Sequence, residues 1–226
     1  MQLSLAEEYL LLALDDTSGR PLLSTQYLQL GLAGAVAADL ALQGVLALSD
    51  GTDGGRKGRF RSTGRATPSD PVLRDVLAMA EGRKPQDAVA KAGQGAAARR
   101  VRETLLDRLA TGGVLRAEQA KILGLFPTTR WPAHDPAPEA AVRARLLDAL
   151  TGRATPDERT AALVSLLLAT DLVRKVYPDQ DRRALRRRAK EIADAQWAGA
   201  AVKTAVDSLA AATTAVLVAT TTAAST

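Results

Sequence analysis

Between Gln26 and Gly44 the chain is almost wholly apolar. The polar side chains within that run, Gln29, Asp39 and Gln43, fall within roughly 80° of one another on a helical wheel of about 100° per residue. So narrow a polar stripe predicts a helix covered on nearly every side. A second segment, Leu163 to Ala169, is apolar all round and predicts another central helix. Neither is long and uncharged enough to read as a membrane span, and the Ala198–Ala219 run is interrupted by Lys203, Asp207 and several Thr. Two enclosed helices need further helices to cover them, so the expected class is mainly α: one compact domain with central apolar helices and amphipathic outer ones.

The covering elements are legible from their start and stop signals. Ser4 with Glu7 three residues on predicts a capping box opening a first helix, Leu3 to Leu14; Glu7 and Glu8 within this Leu-rich stretch argue against a secretory leader. Asp70-Pro71 predicts a helix to about Ala80, and others follow over Pro85–Ala92 and Ala96–Thr111, the last stopped by Gly112-Gly113. Helices are expected again over Glu139–Leu150, after a Thr155 cap with Pro156 at the first helical position, over Asp181–Trp197, and over Ala198–Thr222. Val45–Leu48 and Gly58–Ser62 predict a short hairpin around the Gly-rich stretch Ser49–Lys57. A second hairpin is expected from Val114–Ala117 and Lys121–Phe126 about Glu118-Gln119, followed by an irregular Pro-rich connection from Pro127 to Pro138. The domain is expected over 1–222, with 223–226 a frayed tail.

Aromatic residues are only 3% of the chain while apolar residues reach 46%, mostly Ala and Leu, which favours close helix packing through small side chains. The net charge of +5 and pI near 9.8 direct the surface towards anionic partners, either membrane or nucleic acid. Cysteine is absent, which excludes disulfides and thiolate metal sites. The single histidine, His134, falls in the Pro-rich loop and has no expected catalytic or ligand role. The carboxylates Asp15, Asp16, Asp179 and Asp181 have no His or Cys partner to suggest a metal cage, so neither a metal nor a cofactor is expected. The Gly51–Gly58 stretch lacks the Gly-Lys-Ser/Thr ending of a nucleotide-binding loop and lies between strands, where a hairpin turn suffices.

Three basic clusters stand out. Arg56, Lys57, Arg59, Arg61 and Arg65 carry five positive charges with no acid among them. Arg182 to Lys190 decorate one helix, which ordinarily marks a solvated face. Arg99 and Arg102 stand three apart, so their side chains project together, and a guanidinium pair suits phosphate oxygens.

Several stretches in order resemble the Golgi phosphoprotein 3 family, which has many actinobacterial members. Gly31-Leu32-Ala33-Gly34 and Ala38 to Gly44 resemble its Gly-Leu-Arg-Gly helix and the end of that helix. Val101-Arg102-Glu103 with Leu109 and Gly113-Val114-Leu115 resembles a later helix and its stop. Phe126 with Thr128-Thr129, and the Leu163–Asp171 helix, resemble two further segments. Together they cover Leu3 to about Val218.

The resemblance implies a mainly helical domain with a protruding β-hairpin, no enzymatic activity, and binding to phosphatidylinositol 4-phosphate or a similar anionic headgroup. Of the family's headgroup pocket, the Arg pair falls on Arg99 and Arg102. The Trp position falls near Ser24 and a further Arg on Ala33, so those two elements are not matched. The basic tail that recruits coat protein to the eukaryotic members is expected to be missing.

By the same resemblance the hairpin, with Leu115, Leu123, Leu125 and Phe126, builds a homo-oligomer, as large as a tetramer. Arg130 and Trp131 are candidate membrane contacts, with capping of the local core as the alternative for Trp131. The expected function is a non-enzymatic adaptor in the cytoplasm, bound peripherally to the inner face of a membrane, with Arg56 to Arg65 as an accessory basic surface and protein clients unknown. The rival classes are a nucleic-acid-binding protein using the same basic surfaces, which the lack of a recognition helix or stacking aromatics disfavours, and a protein-interaction scaffold.

Overall fold

The computed structural model describes residues 2–122, 126–195, 202–208 and 211. Thirteen elements are named among them in chain order: α1 (Leu5–Leu12), α2 (Thr25–Leu42), β1 (Leu46–Leu48), β2 (Phe60–Ser62), α3 (Pro71–Ala80), α4 (Pro85–Ala92), α5 (Gly95–Thr111), β3 (Glu118–Ile122), β4 (Phe126–Arg130), α6 (Ala137–Leu150), α7 (Glu158–Ala169), α8 (Val173–Val176) and α9 (Arg182–Asp194). Residues 202–208 are helical as well. The mainly α class is as the sequence predicts, and the strands form only two antiparallel hairpins, β1–β2 and β3–β4.

α2 is the hub, touching α1, α3, α4, α5 and α7. It can take so many neighbours because its surface is largely Gly and Ala, with Ala33, Ala35, Ala37 and Ala38 no more than 2% exposed. Gly31 forms the notch that seats Tyr9: a Cβ there would lie 2.0 Å from the Tyr9 hydroxyl oxygen. Gly44, in the left-handed region at φ 68°, ends the helix, and Val45 N–H returns to the Leu40 carbonyl (2.9 Å).

α1 is buried along its entire length, acids included. Its first turn is satisfied by side chains alone. Ser4 Oγ accepts from Glu7 N (3.2 Å) and Glu7 Oε2 from Ser4 N (2.7 Å), while the Asp39 carboxylate of α2 accepts from Leu5 N and Ala6 N (3.1 Å each). Glu8 pairs with Arg145 (2.8 Å) and Arg159 (3.3 Å), and Arg159 also reaches Asp39 (3.6 Å) and the Leu3 carbonyl (2.7 Å). Glu8 thus anchors α1 to α6 and α7. Burial raises the Asp39 carboxyl to about 6 against the pull of those two backbone donors and Arg159.

Two expected boundaries move. α7 is capped by Asp157, whose carboxylate accepts from Thr160 N (2.7 Å), and not by Thr155; a carboxylate at the positive end of a helix outbids a hydroxyl two residues earlier. The second hairpin is shifted towards the C-terminus. Val114 and Leu115 join the core at 4% exposure each, Leu115 bridging to Ala133, and the strands run Glu118–Ile122 against Phe126–Arg130. The irregular connection therefore begins at Trp131. Its backbone interlocks with the first loop: Gly19 O accepts from Trp131 N (3.3 Å) and Asp16 O from Ala133 N (3.0 Å). The end of the predicted Arg-rich helix at Trp197, most of the predicted 198–222 helix and the 223–226 tail lie outside the described residues.

Candidate functional site

α5 buries Ala98, Val101, Leu105, Leu106 and Leu109 against the domain, and Arg99 and Arg102 flank that stripe near its N-terminal end. Arg99 is exposed. Arg102 is half-buried, with its Nε shielded from solvent and without a hydrogen-bond partner. Neither guanidinium makes an ion pair among the described residues. Further along the same helix the situation reverses: Arg108 is held by Asp70 (2.5 Å) and Glu7 (3.5 Å). The pair is therefore a place where positive charge is presented with its side-chain donors unspent among the described residues.

The five-residue basic cluster of the first hairpin is less uniform than its sequence. Phe60 is fully buried, and Arg61 beside it pairs with Asp53 from the loop (2.5 Å). Arg59 donates to the Gly82 carbonyl (2.8 Å). Arg56, Lys57 and Arg65 stay exposed, so three of the five cations remain available to a partner.

Of the residues expected to form an oligomerisation hairpin, Leu115 does not belong to it. It sits in the core of the domain because the chain leaving α5 turns inward before the hairpin starts. Phe126 opens β4, and Leu123 and Leu125 lie outside the described residues. Trp131 is half-buried and packs against the core, with Arg130 beside it, its Nε shielded and unpaired. His134 is exposed in the loop after β4.

The profile of the Golgi phosphoprotein 3 (GPP34) family matches residues 5–209. The chain belongs to this family. No curated protein matches it. In this Golgi phosphoprotein 3 family member the two positions that the sequence resemblance leaves unmatched to the headgroup pattern have different environments. Ala33 is 1% exposed, inside the small-residue surface of α2. Ser24 is the exposed N-cap of α2, and its hydroxyl makes no capping bond.

A cleft of about 890 Å³ lies beside the start of α1 and is lined by Ser4, Glu7, Asp39, Asp107, Arg108 and Arg159 among others. Most of its charges are committed to the capping and ion pairs already described. Among the described residues no group of three or more His, Cys, Asp or Glu side chains is placed to hold a metal ion, and no helix is long and apolar enough to cross a membrane. One basic grouping escaped the sequence reading. Arg174 and Lys175 of α8 come together with Arg182 and Arg186 of α9 beside Asp171. The available signal was an acid followed by two cations a short turn before the Arg-rich helix, and helical spacing within a single element does not detect it.

Proposed function

We propose that this Golgi phosphoprotein 3 family member is a peripheral, non-enzymatic adaptor that binds anionic phospholipid headgroups of the phosphatidylinositol 4-phosphate kind. The observation that carries the reading is the Arg99–Arg102 pair, whose guanidinium groups have no carboxylate partner among the described residues while their neighbour Arg108 has two. A phosphate docking there gains charge-assisted bonds without first breaking an internal ion pair. Arg56, Lys57 and Arg65 add longer-range attraction, at about 1 kcal/mol for each basic residue held near an anionic surface. Self-association through the β3–β4 hairpin would multiply those contacts into reversible membrane residence at the inner face, with Trp131 and Arg130 at the bilayer boundary.

Flotation with liposomes containing phosphatidylinositol 4-phosphate, phosphatidylinositol, phosphatidylglycerol or cardiolipin, against phosphatidylcholine alone, tests the reading. Wild type is expected to rise with the anionic vesicles and to be released as salt increases. Arg99→Glu/Arg102→Glu is expected to lose at least about tenfold in apparent affinity, with thermal melting confirming that it folds. Equal recovery on neutral and anionic vesicles sinks the reading, and tight binding to duplex DNA that weakens steeply as salt rises would move it to the nucleic-acid class.

A further inference from the structure

A cleft of about 630 Å³ opens between the first turn of α2 and the α7–α8–α9 corner. Its lining includes four cations, Arg174, Lys175, Arg182 and Arg186, and a single carboxylate, Asp171. These charges are arranged by the backbone. Asp171 follows the last turn of α7 at φ 55°, the one non-glycine residue with positive φ among those described. From there its carboxylate accepts from Arg174 Nε (2.7 Å) and lies 3.5 Å from Arg186 Nη1, drawing guanidinium groups of α8 and α9 to one point. Lys175 donates to the Leu22 carbonyl, which ties α8 to the chain entering α2. Arg182 makes no ion pair or side-chain hydrogen bond among the described residues.

One carboxylate cannot balance four cations, and the cleft keeps a local excess of three positive charges. The N-terminus of α2 borders the same space through Ser24 and Tyr27, and no side chain caps it. The positive end of an 18-residue helix therefore adds to the same field. The remaining lining includes Leu23 and Leu168, so the space is larger than a bare phosphate ion and apolar on part of its floor.

We propose that this cleft is a second anion site, independent of Arg99 and Arg102, that takes a phosphomonoester: the phosphate bridges Arg182 and Arg186, with Arg174 and Lys175 behind them, and its organic part rests on Leu23, Leu168 and Tyr27. The forked donors of Arg182 and Arg186 suit the doubly charged terminal phosphate of such a group. A soluble phosphorylated metabolite and a lipid with a terminal phosphate share this chemistry.

The test uses the full chain and two probes: glycerol 3-phosphate by calorimetry, and flotation on phosphatidylcholine vesicles with or without phosphatidic acid. Arg182 and Arg186 are exposed, so Arg182→Gln/Arg186→Gln is expected to keep the wild-type melting temperature. It is expected to weaken binding of whichever probe is recognised by about tenfold or more. Calorimetric binding without flotation assigns the site to a soluble ligand, and flotation without calorimetric binding assigns it to the membrane; either supports the proposal. If wild type recognises neither probe, or Arg182→Gln/Arg186→Gln binds as tightly as wild type, the proposal is overturned. Loss of flotation in the Arg99/Arg102 variant alone would overturn this site and leave the headgroup reading of α5 in place.

Discussion

Tyr9 and Gly31 show how a single missing methyl shapes this core. Both lie where α1 crosses α2, Tyr9 is fully enclosed, and a Cβ on residue 31 would fall 2.0 Å from its hydroxyl oxygen and 2.3 Å from Cζ. A ring enclosed on all sides cannot swing away cheaply, so Gly31→Ala is expected to destabilise by about 2–3 kcal/mol, read from urea denaturation. Tyr9→Phe removes the nearest atom, and the double variant is expected to recover part of that loss; strictly additive effects would show that the two residues do not press on each other. The sequence displays Gly31 as one glycine in an Ala-rich helix. What makes it indispensable is a side chain 22 positions away, which no periodicity reveals.

At the scale of elements, helix ends were the most legible part of the chain. The Ser4–Glu7 box, the Asp70–Pro71 start and the Gly44 stop are local chemistry and stand where the sequence put them. α7 is the instructive exception. Asp157→Ala is expected to cost about 1 kcal/mol and Thr155→Ala a few tenths at most, measured as shifts in chemical-denaturation midpoint. The reverse order would return the cap to Thr155. The β3–β4 register was hidden for a physical reason: Val114 and Leu115 look like strand residues but are drawn into the core, while Pro127, which argues against a strand, is accommodated because a two-stranded hairpin leaves outward-facing positions without ladder bonds. The candidate site divides the same way. Arg99 and Arg102 follow from helical spacing, whereas the α7–α9 cleft needs three elements folded together before its charges meet.

For the molecule as a whole, two buried acids set a pH dependence. Glu139 is 5% exposed and pushed up to about 7, chiefly by burial, despite its contact with Arg143 (2.6 Å); Asp39 is raised to about 6 for the same reason. A carboxyl whose folded value exceeds its unfolded one binds its proton more tightly in the folded state. Stability therefore falls as pH rises from roughly 4 to roughly 7, by on the order of 2–3 kcal/mol for each group. Asp157 opposes this at the acid end. Its carboxyl is held low by the hydrogen bond to Thr160, so its contribution is present above its unfolded value and is lost as pH falls further. Thermal melting across this range is expected to peak on the acidic side of neutrality, and Glu139→Gln to flatten the decline towards neutral pH. A wild-type curve that is level there would remove the argument.

The small-residue surface of α2 limits where a charged ligand contact can be built. At Ala33, where the sequence resemblance would put an arginine of the family's headgroup pocket, the methyl group is 1% exposed within the core. Any larger side chain at this position must displace its neighbours before it can meet a ligand, so Ala33→Arg carries a packing cost that the exposed positions on α5 and α9 do not.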